Sequence, residues 1–194
     1  MNPAALKAKF VQLTYARHNQ SAAVKSALRE VLAEMDGDGG LGADIGAGAR
    51  LHPRLILLER DSEAKPQAEG VAEVLPFRGG SLRAVVSQKM FEYLAAPDES
   101  VQEVVRVLRP GGLFYLQPPF IIGYHDGPRD YWRFTRDEME RFLVRAGLKV
   151  ERLQESGGTG TAAYRIVVEL TSVLAGSLWK RAYLPVKVLA TLLW

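Results

Sequence analysis

The chain has 194 residues, 47% of them hydrophobic and 24% charged, which fits one globular domain with a sizeable core and a terminal extension. It contains no cysteine and only three widely spaced histidines, so we exclude disulfides and expect neither thiolate nor histidine metal sites. The formal net charge of +3 matches the three cations of residues 171–194, Lys180, Arg181 and Lys187, which stand there without an acid. A basic tail on a balanced body argues against a nucleic-acid surface, and the start of the sequence lacks a signal-peptide core, so we expect a cytoplasmic protein.

The first part of the chain reads as a helix followed by short strands. Ser21 is a plausible N-cap for a helix over residues 21–35, and the Asp and Gly cluster of 36–40 ends it. Short apolar runs then predict strands at Gly42–Ile45, Leu55–Leu58, Ala84–Ser87 and Leu113–Gln117.

Helices separate the later strands. A helical pattern over Val101–Leu108 stops at the proline and glycines that follow it. A second helix, from about Arg136 to Ala146, begins after Thr135, and Lys149–Leu153 predicts one more strand. Strands that alternate with helices predict an α/β fold, with a mostly parallel sheet and helices on both faces.

A glycine turn follows the first predicted strand, in the run Asp44-Ile45-Gly46-Ala47-Gly48. Glycine accepts a positive φ and lets a ligand approach the backbone closely. In an open α/β sheet, nucleotide-like ligands bind at the carboxyl ends of the strands. The turn therefore predicts a ligand site at this edge of the sheet.

Further motifs follow this turn in a recognisable order. They are Leu75–Phe77 with Ser81–Gln88, Glu92–Leu94, Arg106–Gly112 and Asp130–Thr135. The ordered series resembles the class I S-adenosylmethionine-dependent methyltransferases, in particular the small branch that is similar to the ubiquinone and menaquinone biosynthesis methyltransferases. The resemblance implies a Rossmann-like fold, S-adenosylmethionine as the cofactor, and methyl transfer to a small-molecule or lipid-linked acceptor.

The resemblance also implies which residues hold the cofactor. Glu59, directly after the second strand, takes the place of the acid that accepts hydrogen bonds from the ribose hydroxyls, with Asp61 as the second choice. The other interpretation is that both acids are exposed turn residues. The full set of cofactor candidates is Asp44, Gly46, Ala47, Gly48, Glu59, Glu73, Leu75 and Ser87.

Methyl transfer needs alignment and exclusion of water, and a general base only where the acceptor must lose a proton. His125, in the loop after the last strand of the motif series, is either that base or a surface histidine without a role. Arg133 fits either an anionic acceptor or an ion pair with Asp130, and the nearby aromatic residues fit an acceptor pocket or the core. The acceptor-side candidates are Gln88, Tyr124, Tyr131 and Arg133.

Several features depart from the family pattern. Val71, Arg83 and Tyr93 stand where an acid, an aspartate and a histidine are usual, and the third glycine of the turn is missing. The segment from Gly48 to Leu55 is also shorter than a helical crossover needs, which predicts a sheet compacted by short early connections. A compact branch of the family explains these departures, and so does a catalytically degenerate protein that acts as a binding or scaffold module.

We divide the sequence into an N-terminal helical segment (1–40), a methyltransferase-like domain (41–160) and an apolar, basic helical tail (161–194). Charged residues and a proline interrupt the apolar run of the tail too often for a membrane span. Two interpretations of residues 171–194 remain, an interfacial helix on the inner face of a membrane and a helix packed on the domain or on a second subunit of a homodimer.

Overall fold

A parallel β-sheet lies at the centre of the larger of two units in the chain. The computed structural model describes residues 21–46, 51–60, 66–124 and 129–178. The larger unit comprises Ala27–Phe120 and Tyr124–Leu153, and the smaller unit comprises Met1–Ser26, Ile121–Gly123 and Gln154–Trp194. The three-part division made from the sequence stays a prediction.

The sheet has five strands in the order β3-β2-β1-β4-β5, and every neighbouring pair is parallel. The predicted Rossmann-like α/β class is therefore confirmed. The strands are β1 (Gly42–Ile45), β2 (Leu55–Glu59), β3 (Ala68–Glu69), β4 (Leu82–Gln88) and β5 (Leu108–Gln117).

Four α-helices are present among the described residues, and two of them begin at a capping side chain. Ser21 accepts a hydrogen bond from the backbone N–H of Val24 at 3.2 Å, and Thr135 accepts one from Glu138 at 3.3 Å, so both predicted N-caps are confirmed. The helices are α1 (Ala22–Gly37), α2 (Pro97–Val107), α3 (Arg136–Arg145) and α4 (Thr159–Leu178), with a 3₁₀ turn at Phe91–Tyr93.

Helices of the larger unit cover both faces of the sheet, as the sequence predicts. On one face, apolar residues of α2 and α3 pack with Val85, Phe91 and Phe114. The ring of Phe91 lies 6.0 Å from that of Phe114 and 6.3 Å from that of Phe142. On the other face, Met35 of α1 packs with strand residues of β2 and β4.

The early connections are as short as the sequence predicts. Only residues 46–54 join β1 to β2, and the described parts of that connection, Gly46 and residues 51–54, contain no helix. Residues 60–67 join β2 to β3, which leaves equally little room.

Two strand predictions need correction. β5 begins at Leu108, directly after α2, and its pairing with β4 is irregular between Leu82 and Ala84, where Gly111 with φ +73° lets the extra residues bulge. Residues 149–153 do not form a strand. Leu148 and Leu153 pack against the core from an irregular loop. Their burial explains the apolar pattern in the sequence without any pairing to the sheet.

Candidate functional site

The turn after β1 requires a glycine for two separate reasons. Gly46 has φ +75°, and its N–H donates to the carbonyl of Leu58 at 3.1 Å, which holds the turn against β2. A Cβ atom at this position would lie 2.5 Å from Cγ of Met90. Ala47 and Gly48, the other predicted residues of the turn, lie outside the described residues.

Asp44 lies in β1 two residues before this turn and is completely buried. Neither of its carboxylate oxygens has a hydrogen-bond partner among the described residues. Burial, together with a smaller repulsion from Glu59, raises the pKa of Asp44 to about 7. A buried carboxyl of this kind would be stabilised by a cationic or hydrogen-bond-donating ligand group.

Glu59 ends β2 on the same face of the sheet as Asp44. Leu57 is in register with Asp44, and Glu59 follows two residues later, so the strand alternation directs Asp44 and Glu59 to one side. The side chain of Glu59 is half-buried, and its carbonyl accepts from the N–H of Gly70 at 3.2 Å. The structure thus brings the two predicted acids together. Asp61, the second choice, lies outside the described residues.

Glu73 lies at the same end of the sheet, after β3. It belongs to a tight turn in which Val74 donates to the carbonyl of Val71 at 3.1 Å, so the segment is folded back at the place where the family usually has its acid. The Glu73 side chain is half-buried.

Leu75 is buried in the main core, and its backbone is fixed by α2. Its N–H donates to Oε2 of Glu103 at 2.9 Å, and its carbonyl accepts from Arg106 at 2.9 Å. This pair of contacts holds the segment between β3 and β4 in place.

Polar side chains tie the carboxyl ends of β1, β4 and β5 together. Ser87 is fully buried, and its hydroxyl donates to the carbonyl of Ile45 at 3.5 Å. The next residue, Gln88, donates from Nε2 to Oε1 of Gln117 at 3.0 Å. Gln88 also hydrogen-bonds the hydroxyl of Tyr115, whose pKa is raised by burial.

The block 130–133 is anchored to the segment that follows β4. The N–H groups of Tyr131 and Trp132 both donate to the carbonyl of Glu92, at 2.8 and 3.2 Å. The Arg133 guanidinium binds both carboxylate oxygens of Asp130, at 2.5 and 2.6 Å. The ion-pair interpretation of Arg133 is therefore the one that the structure supports.

Glu92 is a buried acid whose chemistry was not predicted from the sequence. Its side chain is buried, and Oε2 has no hydrogen-bond partner among the described residues. Burial raises the pKa of Glu92 to about 7, although its own backbone N–H and the cations Arg133 and Lys89 favour the charged form. An acid between two aromatic residues, Phe91 and Tyr93, is the only sequence signal of this burial.

Aromatic side chains are exposed around the carboxyl end of the sheet. Trp132 stacks on Phe134 with ring centroids 6.0 Å apart, donates to the carbonyl of Leu94 at 2.7 Å, and is still 40% exposed. Tyr131, Phe120 and Tyr124 are more exposed than Trp132. His125, the predicted base, lies outside the described residues.

The structure explains the role of Arg83, which stands where the family usually has an aspartate. It lies near the amino end of β4, where it pairs with Glu34 and Asp38, each at 2.8 Å. It also donates to the carbonyl of Gly111 at 2.6 Å. These contacts tie α1, β4 and the β5 bulge together at the opposite end of the strand from the candidate site.

Comparisons with known proteins agree with this fold. Residues 45–116 match a family described as a methyltransferase domain. No curated protein matches the chain. Together with the class I fold, the match over residues 45–116 supports an S-adenosylmethionine-dependent methyltransferase, with S-adenosylmethionine as the implied cofactor. It also favours an active enzyme over a degenerate protein of the same fold, whereas membership of the ubiquinone-like branch stays a prediction.

Three solved structures illustrate the shared fold. A chain of the complex between the Haloferax volcanii Trm112 methyltransferase activator and a methyltransferase is 23% identical, with a TM-score of 0.57 and 75% of each chain covered. A SAM-dependent methyltransferase from Aquifex aeolicus is 16% identical, with a TM-score of 0.51, and the match covers 75% of this chain and 89% of that one. The [4+2]-cyclase SpnF is 15% identical, with a TM-score of 0.56, and the match covers 88% and 74%.

The described residues fit the cofactor. Gly46 has no side chain at the turn against which the methionine part of the cofactor would lie. The buried Asp44 carboxyl has no hydrogen-bond partner among the described residues. S-adenosylmethionine carries an ammonium group and ribose hydroxyls, which are the kinds of donor that Asp44 and Glu59 can accept from.

Proposed function

We propose that the chain transfers a methyl group to an apolar acceptor, either a small molecule or a molecule linked to lipid. The observation that carries the proposal is the exposure of four aromatic side chains in the segments that follow β5 or are anchored to the segment after β4: Phe120, Tyr124, Tyr131 and Trp132. Apolar walls with a few fixed polar groups are the usual lining of a small-molecule site.

On the cofactor side, Asp44 would accept from the ammonium group and Glu59 from the ribose hydroxyls. The turn at Gly46, Ala47 and Gly48 would lie against the methionine part, and Glu73, Leu75 and Ser87 complete the proposed set. When bound, the cofactor supplies a methyl group already activated on a sulfonium. The protein residues therefore have to bind, orient and exclude water rather than activate the methyl donor.

On the acceptor side, Tyr124 and Tyr131 would contact the acceptor, and Gln88 would offer an amide at the strand end. Arg133 would contribute to the acceptor region indirectly, because its ion pair with Asp130 anchors the block 130–133. His125 would take a proton from an acceptor that must lose one. A lipid-linked acceptor would place the reaction on the inner face of a membrane, with residues 171–194 in contact with lipid or with a second copy.

The cofactor assignment is tested by replacing Gly46. Gly46→Ala adds a Cβ against Met90 at a positive φ, whereas Gly37→Ala, at the end of α1, meets nothing within 4 Å. Backbone strain of this kind is about 1–3 kcal/mol, so we expect the Kd for S-adenosylhomocysteine to rise at least about tenfold in Gly46→Ala and to stay unchanged in Gly37→Ala. Isothermal titration calorimetry measures both, with circular dichroism as the check on folding. Equal Kd values would remove the turn from the cofactor site.

The acceptor class is tested with tritium-labelled methyl donor and three acceptors: a phenol, the same phenol with a prenyl chain in detergent micelles, and a charged amino acid. We expect the highest kcat/KM with the prenylated phenol. Tyr131→Ala raises the acceptor KM by about tenfold, because an aromatic contact of about 1–1.5 kcal/mol is lost, while Val144→Ala on α3 has no effect. Methylation of the amino acid alone would contradict an apolar acceptor.

A further inference from the structure

Helix α4 of the smaller unit presents a continuous apolar stripe to solvent. Five of its large aliphatic side chains are each more than half exposed, and their spacing of i, i+1, i+4, i+7 and i+8 places them on one side of the helix. We call this set the α4 stripe: Ile166, Val167, Leu170, Val173 and Leu174.

The rest of α4 differs from this stripe. Val168, on another side of the helix, is buried, and the only charged residues of the helix, Arg165 and Glu169, are half-buried and outside the stripe. The large aliphatic residues of this helix are therefore more exposed than its charged residues. A soluble surface normally shows the reverse arrangement, and a contiguous exposed apolar face marks an interaction surface.

The sequence that continues from α4 indicates what the stripe contacts. Residues 171–194 carry three cations and no acid, and Trp179 is the next residue in the sequence after Leu178. Tryptophan favours the interface between hydrocarbon and water, and cations favour anionic lipid headgroups. Among the described residues no helix is long and apolar enough to cross a membrane. An apolar stripe on one side of a helix fits an orientation along a bilayer surface.

We propose that the α4 stripe docks on an anionic lipid surface, with the basic segment after α4 adding electrostatic attraction. The stripe begins at Ile166, within the predicted tail 161–194 but before residues 171–194, for which the sequence suggested a membrane contact. This inference does not depend on which acceptor is methylated.

The experiment is co-sedimentation of the full chain with vesicles of phosphatidylcholine, with or without an equal part of phosphatidylglycerol. We expect binding to the mixed vesicles, weaker binding at 0.5 M than at 0.05 M salt, and little binding to phosphatidylcholine alone.

Two single variants make a matched pair, because Val167 on the stripe is 55% exposed and Val144 on α3 is 56% exposed. Val167→Glu is expected to lower the vesicle partition coefficient at least about tenfold, whereas Val144→Glu leaves it unchanged. Calorimetric binding of S-adenosylhomocysteine, unchanged in both variants, separates failure of docking from failure of the methyltransferase site.

Two results would overturn the proposal. Equal partitioning of the two variants would show that the stripe does not face lipid. A full chain that ignores vesicles, sediments as a dimer in the ultracentrifuge and becomes monomeric in Val167→Glu would assign the stripe to a second copy of the chain.

Discussion

At the scale of single residues, two buried carboxyl groups dominate the chemistry of the larger unit. Asp44 lies in β1 and Glu92 in the 3₁₀ turn, and Met90, close to Glu92 in sequence, is in contact with the turn at Gly46. Burial raises the pKa of each to about 7, so both titrate near neutral pH. A cationic ligand beside Asp44 would favour its charged form.

Glu92 makes stability depend on pH in a defined direction. Its pKa rises from 4.5 to about 7 on folding, so between these values the folded state binds more protons than the unfolded state. The stabilisation is therefore complete below pH 4.5 and is lost as the pH rises through 7. The glutamine of Glu92→Gln stays neutral at every pH. We therefore expect the free energy of unfolding of this variant to exceed that of the parent by up to about 3 kcal/mol at pH 8 and to be similar to it at pH 5.

Urea unfolding at the two pH values measures this difference. Glu99→Gln, on the exposed surface of α2, is the control and should show no such pH dependence. A Glu92→Gln effect of the same size at pH 5 and pH 8 would mean that the carboxyl is already charged in the folded protein. Asp44 titrates in both proteins and cancels in the comparison.

At the scale of elements, the contacts of Arg83 explain how a changed motif residue can leave the site intact. Its side chain is 11% exposed and joins α1 to β4 and β5 through Glu34, Asp38 and Gly111. Removing this mostly buried guanidinium takes a donor away from Glu34 and from the carbonyl of Gly111, whereas Asp38 keeps Arg109 and the backbone N–H of Gly40 as donors. The residue therefore contributes to stability rather than to ligand binding.

Arg83→Met is expected to lower the free energy of unfolding by about 1–2 kcal/mol and to leave the Kd for S-adenosylhomocysteine unchanged. Arg78→Met, at an exposed position before β4, changes neither quantity. Urea unfolding and calorimetry on the same samples provide the two readouts. A folded Arg83→Met protein that no longer binds the ligand would place Arg83 in the site.

Most elements could be predicted from the sequence because their signals are local. N-caps, glycine stops and short apolar runs depend only on neighbouring residues, and they located α1, α3 and the four longer strands. The loop 149–153 was wrongly predicted as a strand because apolar alternation does not reveal whether a partner strand is present. The two-residue strand β3 carries too few residues for any periodic signal.

The candidate site was predictable to a similar degree. Asp44, Gly46 and Glu59 could be placed together because parallel strands end at one edge. The burial of Glu92 could not, because it depends on the block 130–133 folding back over the 3₁₀ turn from well beyond it in the chain. Long-range closure of this kind leaves no pattern within a short window of sequence.

At the scale of the whole molecule, the two units divide the proposed tasks. The larger unit contains the sheet, the acids and the exposed aromatic residues, and the smaller unit contains α4 with its stripe. Methyl transfer and lipid docking should therefore be separable by mutation. The Val167 variant should weaken lipid docking without changing ligand binding, and the Gly46 variant should weaken ligand binding.

The short connection between β1 and β2 also sets the charge of the ligand that this edge can select. In dinucleotide-binding folds, a full helix follows β1, and the positive end of its dipole holds a pyrophosphate. Residues 46–54 leave no room for such a helix between the strands, and the strand ends carry Asp44 and Glu59 instead. A strand end that carries two acids, after a connection too short for a full crossover helix, disfavours polyanions and suits a ligand whose net charge is positive. S-adenosylmethionine, with a sulfonium, an ammonium and a single carboxylate, meets that condition.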